Sequence, residues 1–161
     1  MAERYETDAP TAWDLANRPG FLIRRLHQIH LAMFAEECAA FGVTPVQFSI
    51  MSVAAAQPGL EQTRLGHEVG VDRATLANVV ARNQARALLI RTPSQTDRRL
   101  KHVSLTQEGL DLLARIEAPA RRAHVRTIEA LPEDEREAFL RALAKLVAAG
   151  NAYGRAPLRL G

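Results

Sequence analysis

The sequence predicts a mainly α fold that contains one small β-hairpin, and three observations support this prediction. The 161 residues are rich in Ala, Leu and Arg, while aromatic residues make up only 5%, a composition that favours helix over sheet. Apolar residues recur at helical spacing over long stretches at both ends of the chain. Two short strand-like segments, 89–92 and 102–105, flank a turn-rich stretch. A chain of this length can form one compact domain with a substantial core.

Composition narrows the class of protein. Hydrophobic residues make up 47% and charged residues 24% of the chain, which is typical of a globular protein. No apolar run approaches the roughly 20 residues that cross a bilayer, and the first twenty residues lack a signal-peptide pattern, so we expect a soluble cytoplasmic protein. The single cysteine, Cys38, cannot form an internal disulfide and provides no thiolate cluster for zinc.

The first long helix is predicted to begin at Pro19, after a polar arm and one short helical turn that carries Trp13. Its apolar side chains form two adjacent stripes, and Gly42 provides the stop signal. Two stripes indicate two packing partners, so this helix is either central to its own domain or shared with a second subunit. The stripes are Leu22, Leu26, Ile29 and Met33, and Ile23, His27, His30, Phe34, Cys38 and Phe41.

Three shorter helices follow. A hydroxyl cap at Thr44, a proline in the first position and Gln47 predict a helix that ends at about Ala56, where a Gln-Pro-Gly stretch breaks it. Residues 62–69 predict a short helix that ends at a glycine, and Asp72 caps the next helix only a few residues later. Two short helices joined by a tight turn predict a helix-turn-helix in which the second helix reads DNA.

Positive charge is concentrated in this second helix and in the hairpin that follows it. Residues 71–101 contain seven basic and two acidic residues, a net charge of +5, whereas the whole chain carries +3. Salt screens fields beyond about 10 Å, so a concentrated patch attracts a polyanion better than the same charge spread out. No basic amphipathic helix with bulky apolar residues accompanies the patch, which favours DNA over a membrane surface. The pattern predicts a winged helix-turn-helix, whose charged hairpin, the wing, reaches the flanking DNA backbone.

Two helices are predicted after the wing. Thr106 starts one that should continue to about Ala130 with a kink or bend at Pro119, because proline removes a backbone hydrogen bond and clashes with the preceding turn. A Leu-Pro pair separates it from the last helix, and residues 150–161 are expected to form a loose tail. The apolar face of the last helix comprises Phe139, Leu140, Leu143, Leu146 and Val147.

Three motifs occur together: DRATL at 72–76, TPSQTDRR at 92–99 and VSLTQEG at 103–109. With these motifs and this order of elements, nearly the whole chain resembles the multiple antibiotic resistance regulator (MarR) family of bacterial transcription factors. The resemblance implies a homodimer with interlocking terminal helices, and a repressor that a small molecule, often an aromatic acid, releases from a palindromic operator. The expected divisions are an arm and dimerisation helix (1–43), the DNA-binding lobe (44–105), and dimerisation helices with a tail (106–161).

The chain departs from the family pattern at three positions. Asn83 stands where the family usually places a leucine on the inner face of the reading helix. Ala87 replaces the usual glycine at its end, and Ile90 replaces a common basic residue. Alanine in a left-handed conformation costs about 1 kcal/mol relative to glycine, so we expect an altered helix end.

The DNA-contacting residues are expected on the outer face of the reading helix and in the wing. Arginine can bind guanine bidentately, asparagine suits adenine, and alanine or threonine can contact a thymine methyl group. By resemblance, Asp97 holds an arginine that enters the minor groove, whereas Arg64 and Lys101 contact phosphates. The alternative is a solvated surface with a weak ion pair. The expected set is Arg64, Arg73, Ala74, Thr75, Asn78, Arg82, Asp97, Arg98, Arg99 and Lys101.

An effector pocket is expected beside the first helix. Residues 19–34 are similar to those of family members that govern catabolism of phenylpropanoids and other aromatic acids, where the ligand is the free acid or its coenzyme A thioester. Cationic side chains could neutralise a carboxylate or phosphates, although histidines and apolar residues at this spacing are often core or interface. The candidates are Trp13, Arg24, Arg25, His27, His30, Met33, Phe48 and Met51.

Two other functions are weighed against this one. Cys38 could make the protein a redox-sensing repressor, but its acidic and apolar neighbours should raise the thiol pKa and blunt its reactivity. A metal-dependent enzyme could use His27, His30, His67 and Glu68, yet the sequence contains no HExxH arrangement, catalytic triad pattern or phosphate-cradling glycine loop. We therefore expect no cofactor, no metal and no enzymatic activity.

Overall fold

A computed structural model describes residues 15–97, 99–154 and 156–158. Trp13 and Arg98, both expected to be functional, lie outside these residues. Six helices and a small sheet make up the described chain, which confirms the predicted winged helix-turn-helix with flanking helices. The elements are α1 (Pro19–Glu37), α2 (Pro45–Ala56), β1 (Leu60–Glu61), α3 (Gln62–Val69), α4 (Arg73–Ala85), β2 (Leu89–Pro93), β3 (Lys101–Leu105), α5 (Gln107–Ile128) and α6 (Glu133–Gly150).

The helix starts that the sequence marks are capped as expected. Thr44 Oγ1 accepts from the backbone N–H of Gln47, whose side chain accepts from the N–H of Thr44, so α2 opens with a complete capping box. The carboxylate of Asp72 accepts from two backbone N–H groups of α4, and Thr106 caps α5 in the same way through Gly109 N–H. These side chains satisfy backbone donors that would otherwise lack partners.

The structure differs from the prediction at two places. The first helix ends at Glu37, and a 3-10 turn at 39–41 leads to Gly42, whose φ of 58° is left-handed. Residues 60–61 form strand β1, which was not expected and pairs with β3, so the sheet order is β1-β3-β2. Helix α5 continues through Pro119 as predicted and ends at Ile128, close to the expected Ala130.

The end of the reading helix keeps a left-handed residue although alanine stands where the family usually has glycine, so the expected alteration is not seen in the backbone of Ala87. Ala87 has a φ of 56° and is the one non-glycine residue with positive φ among those described. Its carbonyl accepts from Thr106 Oγ1 at 2.6 Å, which ties the helix end to the start of α5. Nearby, a Cβ on Gly109 would lie 2.2 Å from Leu88 O, so this close approach requires glycine.

Two separate clusters form the core. One lies inside the lobe, where α2, α3 and α4 pack on the sheet through residues such as Ile50, Leu65, Val80 and Val103. The other joins α1 to α5 and α2 through Phe34, Ile116 and neighbouring small residues. Helix α6 contributes no buried residue to either cluster. Among the described residues, no helix is long and apolar enough to span a membrane.

Candidate nucleic-acid interface

The reading helix α4 presents the face that its sequence pattern predicts. Leu76, Val79 and Val80 are buried in the lobe core, with exposed fractions of 3% or less. All five residues assigned to the outer face are exposed: Arg73, Ala74, Thr75, Asn78 and Arg82.

The start of α4 is rigidly organised by Asp72. One carboxylate oxygen accepts from the N–H groups of Ala74 and Thr75 at 3.0 and 2.9 Å, and the other accepts from Thr75 Oγ1 at 2.8 Å. These bonds, chiefly the one from the Thr75 N–H, lower the pKa of Asp72. Because the Thr75 hydroxyl proton is engaged, Thr75 offers a base chiefly its methyl group.

The wing holds one arginine in a defined position. Asp97 accepts from the Arg99 backbone N–H at 3.0 Å, from its Nε at 3.2 Å and from its Nη2 at 3.3 Å. The hydrogen bond from the Arg99 side chain is the main reason why the pKa of Asp97 is lowered. The Arg99 side chain nevertheless remains 91% exposed, so this ion pair orients a charge that is open to a ligand.

A basic cavity separates the wing from the helix-turn-helix. It measures about 370 Å³ and lies between α3, the start of α4 and the wing. Four cationic side chains line it, together with Glu61 and Asp72: Arg73, Arg91, Arg99 and Lys101. Arg64 lies outside this cavity on α3, where it is half-exposed and 3.8 Å from Glu68.

Polar side chains anchor the far end of the reading helix in ways that the sequence analysis missed. Arg86 Nη1 and Nη2 donate to the carbonyls of Gly42 and Phe41, each at 3.0 Å. Arg91 Nε donates to Gln84 Oε1 at 2.7 Å. Both arginines count toward the basic patch in sequence, but these bonds make them structural, and nothing local in the sequence signals such distant partners.

Asn83, which replaces a family leucine, is fully buried. Its Oδ1 accepts from Gln47 Nε2 at 3.3 Å, so the residue that completes the capping box of α2 also contacts α4. The Asn83 Nδ2 group has no hydrogen-bond partner. The hydrogen bond between Gln47 and Asn83 fixes α2 against α4. The unpaired Nδ2 group lowers the stability of the lobe, because a buried donor without an acceptor is costly.

A second concave surface lies beside α1. This apolar groove of about 440 Å³ is open on one side and runs between α1, α5 and α6. His30 Nδ1 lies 2.9 Å from Thr127 Oγ1, and the His30 ring stacks on His124 with centroids 4.8 Å apart. Burial, followed by the nearby His124 and His27, lowers the pKa of His30. The neutral form of His30 is therefore favoured inside the groove.

The expected effector residues do not form one cluster. His27 and His30 line the groove, whereas Met51 is fully buried in the protein and Phe48 packs against Phe34. Arg24 and Arg25 both donate to Gln28 on the exposed face of α1, outside the groove. The groove wall also uses residues that the sequence analysis did not select, because they lie on α5 and α6: His124, Thr127, Ile128, Phe139 and Leu143.

The remaining candidates are placed unfavourably for chemistry. The Cys38 side chain is 2% exposed, and burial followed by Glu37 raises the pKa of its thiol. Glu37 itself is held by Arg122 and Arg126 across the contact between α1 and α5. Within the described part of the chain, no three His, Cys, Asp or Glu side chains are grouped to hold a metal ion.

Known proteins resemble this chain in sequence and in fold. The MarR family model matches residues 41–100. The transcriptional repressor NicR of Pseudomonas putida is 31% identical over 85% of this chain and 87% of its own. The structure of the repressor CouR bound to a 23-mer DNA duplex matches with a TM-score of 0.77 and 30% identity, over 88% of this chain and 99% of CouR. BpsR of Bordetella bronchiseptica, whose DNA binding 6-hydroxynicotinic acid regulates, matches with a TM-score of 0.77 and 28% identity, over 81% and 94%.

Proposed function

Because the chain belongs to the MarR family of winged-helix transcriptional regulators, we propose that it is a homodimeric repressor which an aromatic acid releases from a palindromic operator. Membership makes the protein a DNA-binding regulator and not an enzyme, since its relatives are transcriptional regulators. The observation that carries the proposal is the exposed face of α4 beside a wing whose Arg99 is held outward by Asp97.

Reading of the operator is assigned to two groups of side chains. Arg73, Asn78 and Arg82 contact base edges, because they lie on the exposed face of α4. Arg99 enters the minor groove beside the half-site, where negative potential favours a guanidinium. Lys101 and Arg64 contact phosphates and set the position of the lobe without reading sequence. Arg98 is assigned to the wing from sequence alone.

Dimerisation is assigned to the helices outside residues 44–105. Helix α6 has no buried residue, and Leu140, Leu146 and Val147 are at least half exposed. Leu22 and Ile23 on α1 are equally exposed. Contiguous apolar surfaces of this kind mark interfaces, and a second copy that pairs the same surfaces twice would bury them in a symmetric dimer.

Dimerisation is tested with Leu140→Glu/Leu146→Glu. The double variant should sediment as a monomer with an intact circular dichroism spectrum, because two carboxylates cannot be buried unpaired. The matched control is Ile90→Glu, which changes a 47% exposed residue on the wing and should remain dimeric. A dimeric double variant would contradict this assignment of the interface.

The effector is assigned to the groove between α1, α5 and α6. A single aromatic ring fits its volume and apolar walls. An N–H of His27 can donate to a carboxylate, and His30 can do so only in its protonated form, because its Nδ1 faces Thr127 Oγ1, whose own proton goes to the Ala123 carbonyl. A coenzyme A thioester could place its acyl ring in the groove and its phosphates near Arg24 and Arg25, which lie outside on α1. The regulation of BpsR by 6-hydroxynicotinic acid supports an aromatic acid.

DNA contacts are tested by Arg99→Ala and Asn78→Ala. Loss of Arg99 should weaken operator binding and lower the slope of log affinity against log salt by about 1, as expected for one lost phosphate or groove charge. Asn78→Ala should relax the base preference at one position in each half-site. Arg121→Ala, on the exposed surface of α5, is the charge-matched control and should leave operator affinity and the salt slope unchanged. Unaltered affinity and slope in Arg99→Ala would exclude the wing contact.

Effector binding is tested by thermal shift with 6-hydroxynicotinic acid, benzoic acid and benzoyl-coenzyme A, followed by operator competition. A ligand that binds only the folded protein raises its melting temperature. His30→Leu should abolish the shift, whereas His102→Gln, in the wing strand β3, should retain it. A shift that survives His30→Leu would place the ligand elsewhere, and absence of any shift or operator release would reject these acids as effectors.

A further inference from the structure

Arg86 joins the end of the reading helix to the turn that follows α1. It is the C-cap residue of α4. Its Nη1 donates to the carbonyl of Gly42 and its Nη2 to the carbonyl of Phe41, each at 3.0 Å. Two bonds from one planar guanidinium fix direction as well as distance, and a charged donor makes each of them stronger than a neutral one. One side chain thereby connects two elements that lie more than 40 residues apart in the sequence.

The turn at residues 38–43 belongs to what is here called the helical body, which consists of α1, α5 and this turn. Cys38 is buried in the cluster that joins the two helices, and Phe41 packs against that cluster. The guanidinium of Arg115 on α5 lies over the Phe41 ring, with its Cζ 5.5 Å from the ring centroid. Gly42 then directs the chain toward α2 with a left-handed φ of 58°. Both carbonyl acceptors are therefore held by a packed turn.

Helix α4 belongs to the other packed unit, the DNA-binding lobe. Its apolar residues Leu76, Val79 and Val80 are buried in the lobe cluster, together with residues of α2, α3 and the sheet. Among the described residues, the cluster that joins α1 to α5 includes none from α4. The two bonds from Arg86 therefore cross from the lobe to the helical body.

The last turn of α4 is the fixed end of this helix. Asn83 accepts from Gln47 on α2, and the Ala87 carbonyl accepts from Thr106 at the start of α5. Arg86 adds the connection to the turn after α1, so three other elements hold this end of the helix. The opposite end, which carries the face assigned to base reading, is exposed.

A small rotation at the fixed end of α4 produces a large displacement at the reading end. Arg73 lies thirteen positions before Arg86, which is about 20 Å along the helix axis at 1.5 Å per residue. A rotation of about 10° would displace the Arg73 end by about 3.5 Å, close to the rise of one base pair. In a symmetric dimer, the two reading helices must match the separation of the two half-sites. The connection made by Arg86 therefore bears on the spacing that the dimer accepts.

We propose that Arg86 is a positioning residue for operator binding. It sets the direction of α4 relative to the helical body, and thereby the half-site spacing to which the dimer binds. Arg86 does not act as a phosphate contact, because both of its terminal nitrogens donate to carbonyls of the protein. The inference rests on the proposed homodimer and its palindromic operator.

Half-site spacing is the measurement that tests this role. An operator is selected from a random duplex library with the unmodified protein, and two further duplexes carry one base pair more or one base pair fewer between the half-sites. Arg86→Gln should bind the selected operator severalfold more weakly and should discriminate severalfold less against the two altered spacings. Its slope of log affinity against log salt should not change, because a side chain without a phosphate contact releases no counterion. Arg86→Lys keeps the charge but not the planar fork, and its discrimination should also fall.

The control and the contrary outcomes separate positioning from other roles of this arginine. Arg121→Gln, on the exposed surface of α5, should bind all three duplexes as the unmodified protein does. Unchanged discrimination between spacings in Arg86→Gln would overturn the proposal, even with weaker binding or a lower melting temperature, because a general loss of stability weakens binding to all duplexes alike. A uniform loss with a salt slope lower by about 1 would make Arg86 a phosphate contact instead.

The unmodified protein tests the underlying function separately. If it bound all three spacings equally, the proposed palindromic operator would be wrong, and the role of Arg86 would be rejected with it. If it preferred the selected spacing and Arg86→Gln kept the same preference, the operator would stand and the role of Arg86 alone would be rejected.

Discussion

The DNA-binding lobe and helix α6 present opposite ways of using apolar residues. The lobe encloses its own, with Ile50, Leu65, Val80 and Val103 fully buried in one chain. Helix α6 encloses none, and its Leu146 is 64% exposed. The lobe core is therefore closed within one chain, whereas the apolar face of α6 is left for the second copy of the proposed dimer. The two regions should respond differently to mutation and to protein concentration.

The helices of the lobe and helix α6 also differ in how their N-termini are capped. In the lobe, Thr44 and Asp72 cap α2 and α4 with side-chain hydrogen bonds. Helix α6 follows Pro132 and has no side-chain cap, although three acidic residues in its first turn suit the helix dipole. Local signals thus define the lobe helices, and in the proposed dimer we expect packing between copies to contribute more to the stability of α6.

The largest difference should come from a pair of truncations. Ile50→Ala in the lobe should cost about 2–5 kcal/mol in the free energy of unfolding, because it leaves a cavity in a closed core. Leu146→Ala should chiefly raise the dimer dissociation constant. Chemical denaturation and sedimentation at several concentrations measure the two effects. If both variants lowered the free energy of unfolding equally and independently of protein concentration, the apolar face of α6 would be packed within one chain and not against a second copy.

Loss of a cap should have an intermediate effect. Asp72→Ala removes the acceptor for two backbone N–H groups at the start of α4 and should cost about 1 kcal/mol. It also frees the Thr75 hydroxyl, so base preference next to Thr75 should change along with stability. Urea denaturation and operator selection measure these outcomes. Asp72→Asn, which retains an acceptor, should recover most of the stability.

A smaller change of opposite sign is expected at the other end of α4. Ala87→Gly should stabilise the lobe by less than about 1 kcal/mol, because glycine adopts positive φ without the Cβ clash but loses more chain entropy. Ala85→Gly, inside the same helix, should instead destabilise it. Thermal denaturation of both variants separates the conformational effect from a general effect of glycine. A destabilised Ala87→Gly would contradict the strained backbone at this position.

The smallest expected effect is a pH dependence of the free energy of unfolding, which arises at His30 in the groove between α1, α5 and α6. The pKa of His30 is lowered by burial and by His124 and His27, so the unfolded chain binds a proton more readily. The contribution of neutral His30 is complete above its ordinary pKa of about 6.5 and is lost as pH falls below it. His30→Gln should flatten this part of the stability curve, whereas the lobe variant His102→Gln should not. If His30→Gln and the unmodified protein gave the same curve of stability against pH, the pH dependence would not arise from His30.

Local signals predicted most of the fold. The caps at Thr44 and Asp72 and the helix start at Thr106 were confirmed, because each depends on residues within a few positions. Strand β1 was missed because two residues become a strand only by pairing with Val103 and His102. The early end of α1 at Glu37 was missed for a related reason, since the sequence offered an equally good apolar pattern as far as Phe41.

The site was predicted less completely than the fold. Exposure along α4 follows from helical periodicity, so the outer face was found from sequence. The wall of the groove could not be predicted from sequence, because His124, Thr127 and Phe139 are remote in sequence from His30. Likewise, the bonds from Arg86 to Phe41 and Gly42 span more than 40 residues. Charge counting included this arginine in the basic patch without showing that its side chain is engaged within the protein.

The double use of Gln47 constrains how this sequence can change over evolution. Its Oε1 serves the backbone N–H of Thr44 and its Nε2 serves Asn83, so substitutions at positions 47 and 83 should covary in lineages that share this arrangement. A leucine at 83 alone would leave the Gln47 Nε2 donor in the interior without its acceptor. An apolar residue at 47 alone would remove the donor to Asn83 Oδ1, so that the whole Asn83 amide would be unpaired. The path back to the leucine of the family therefore passes through a less stable intermediate.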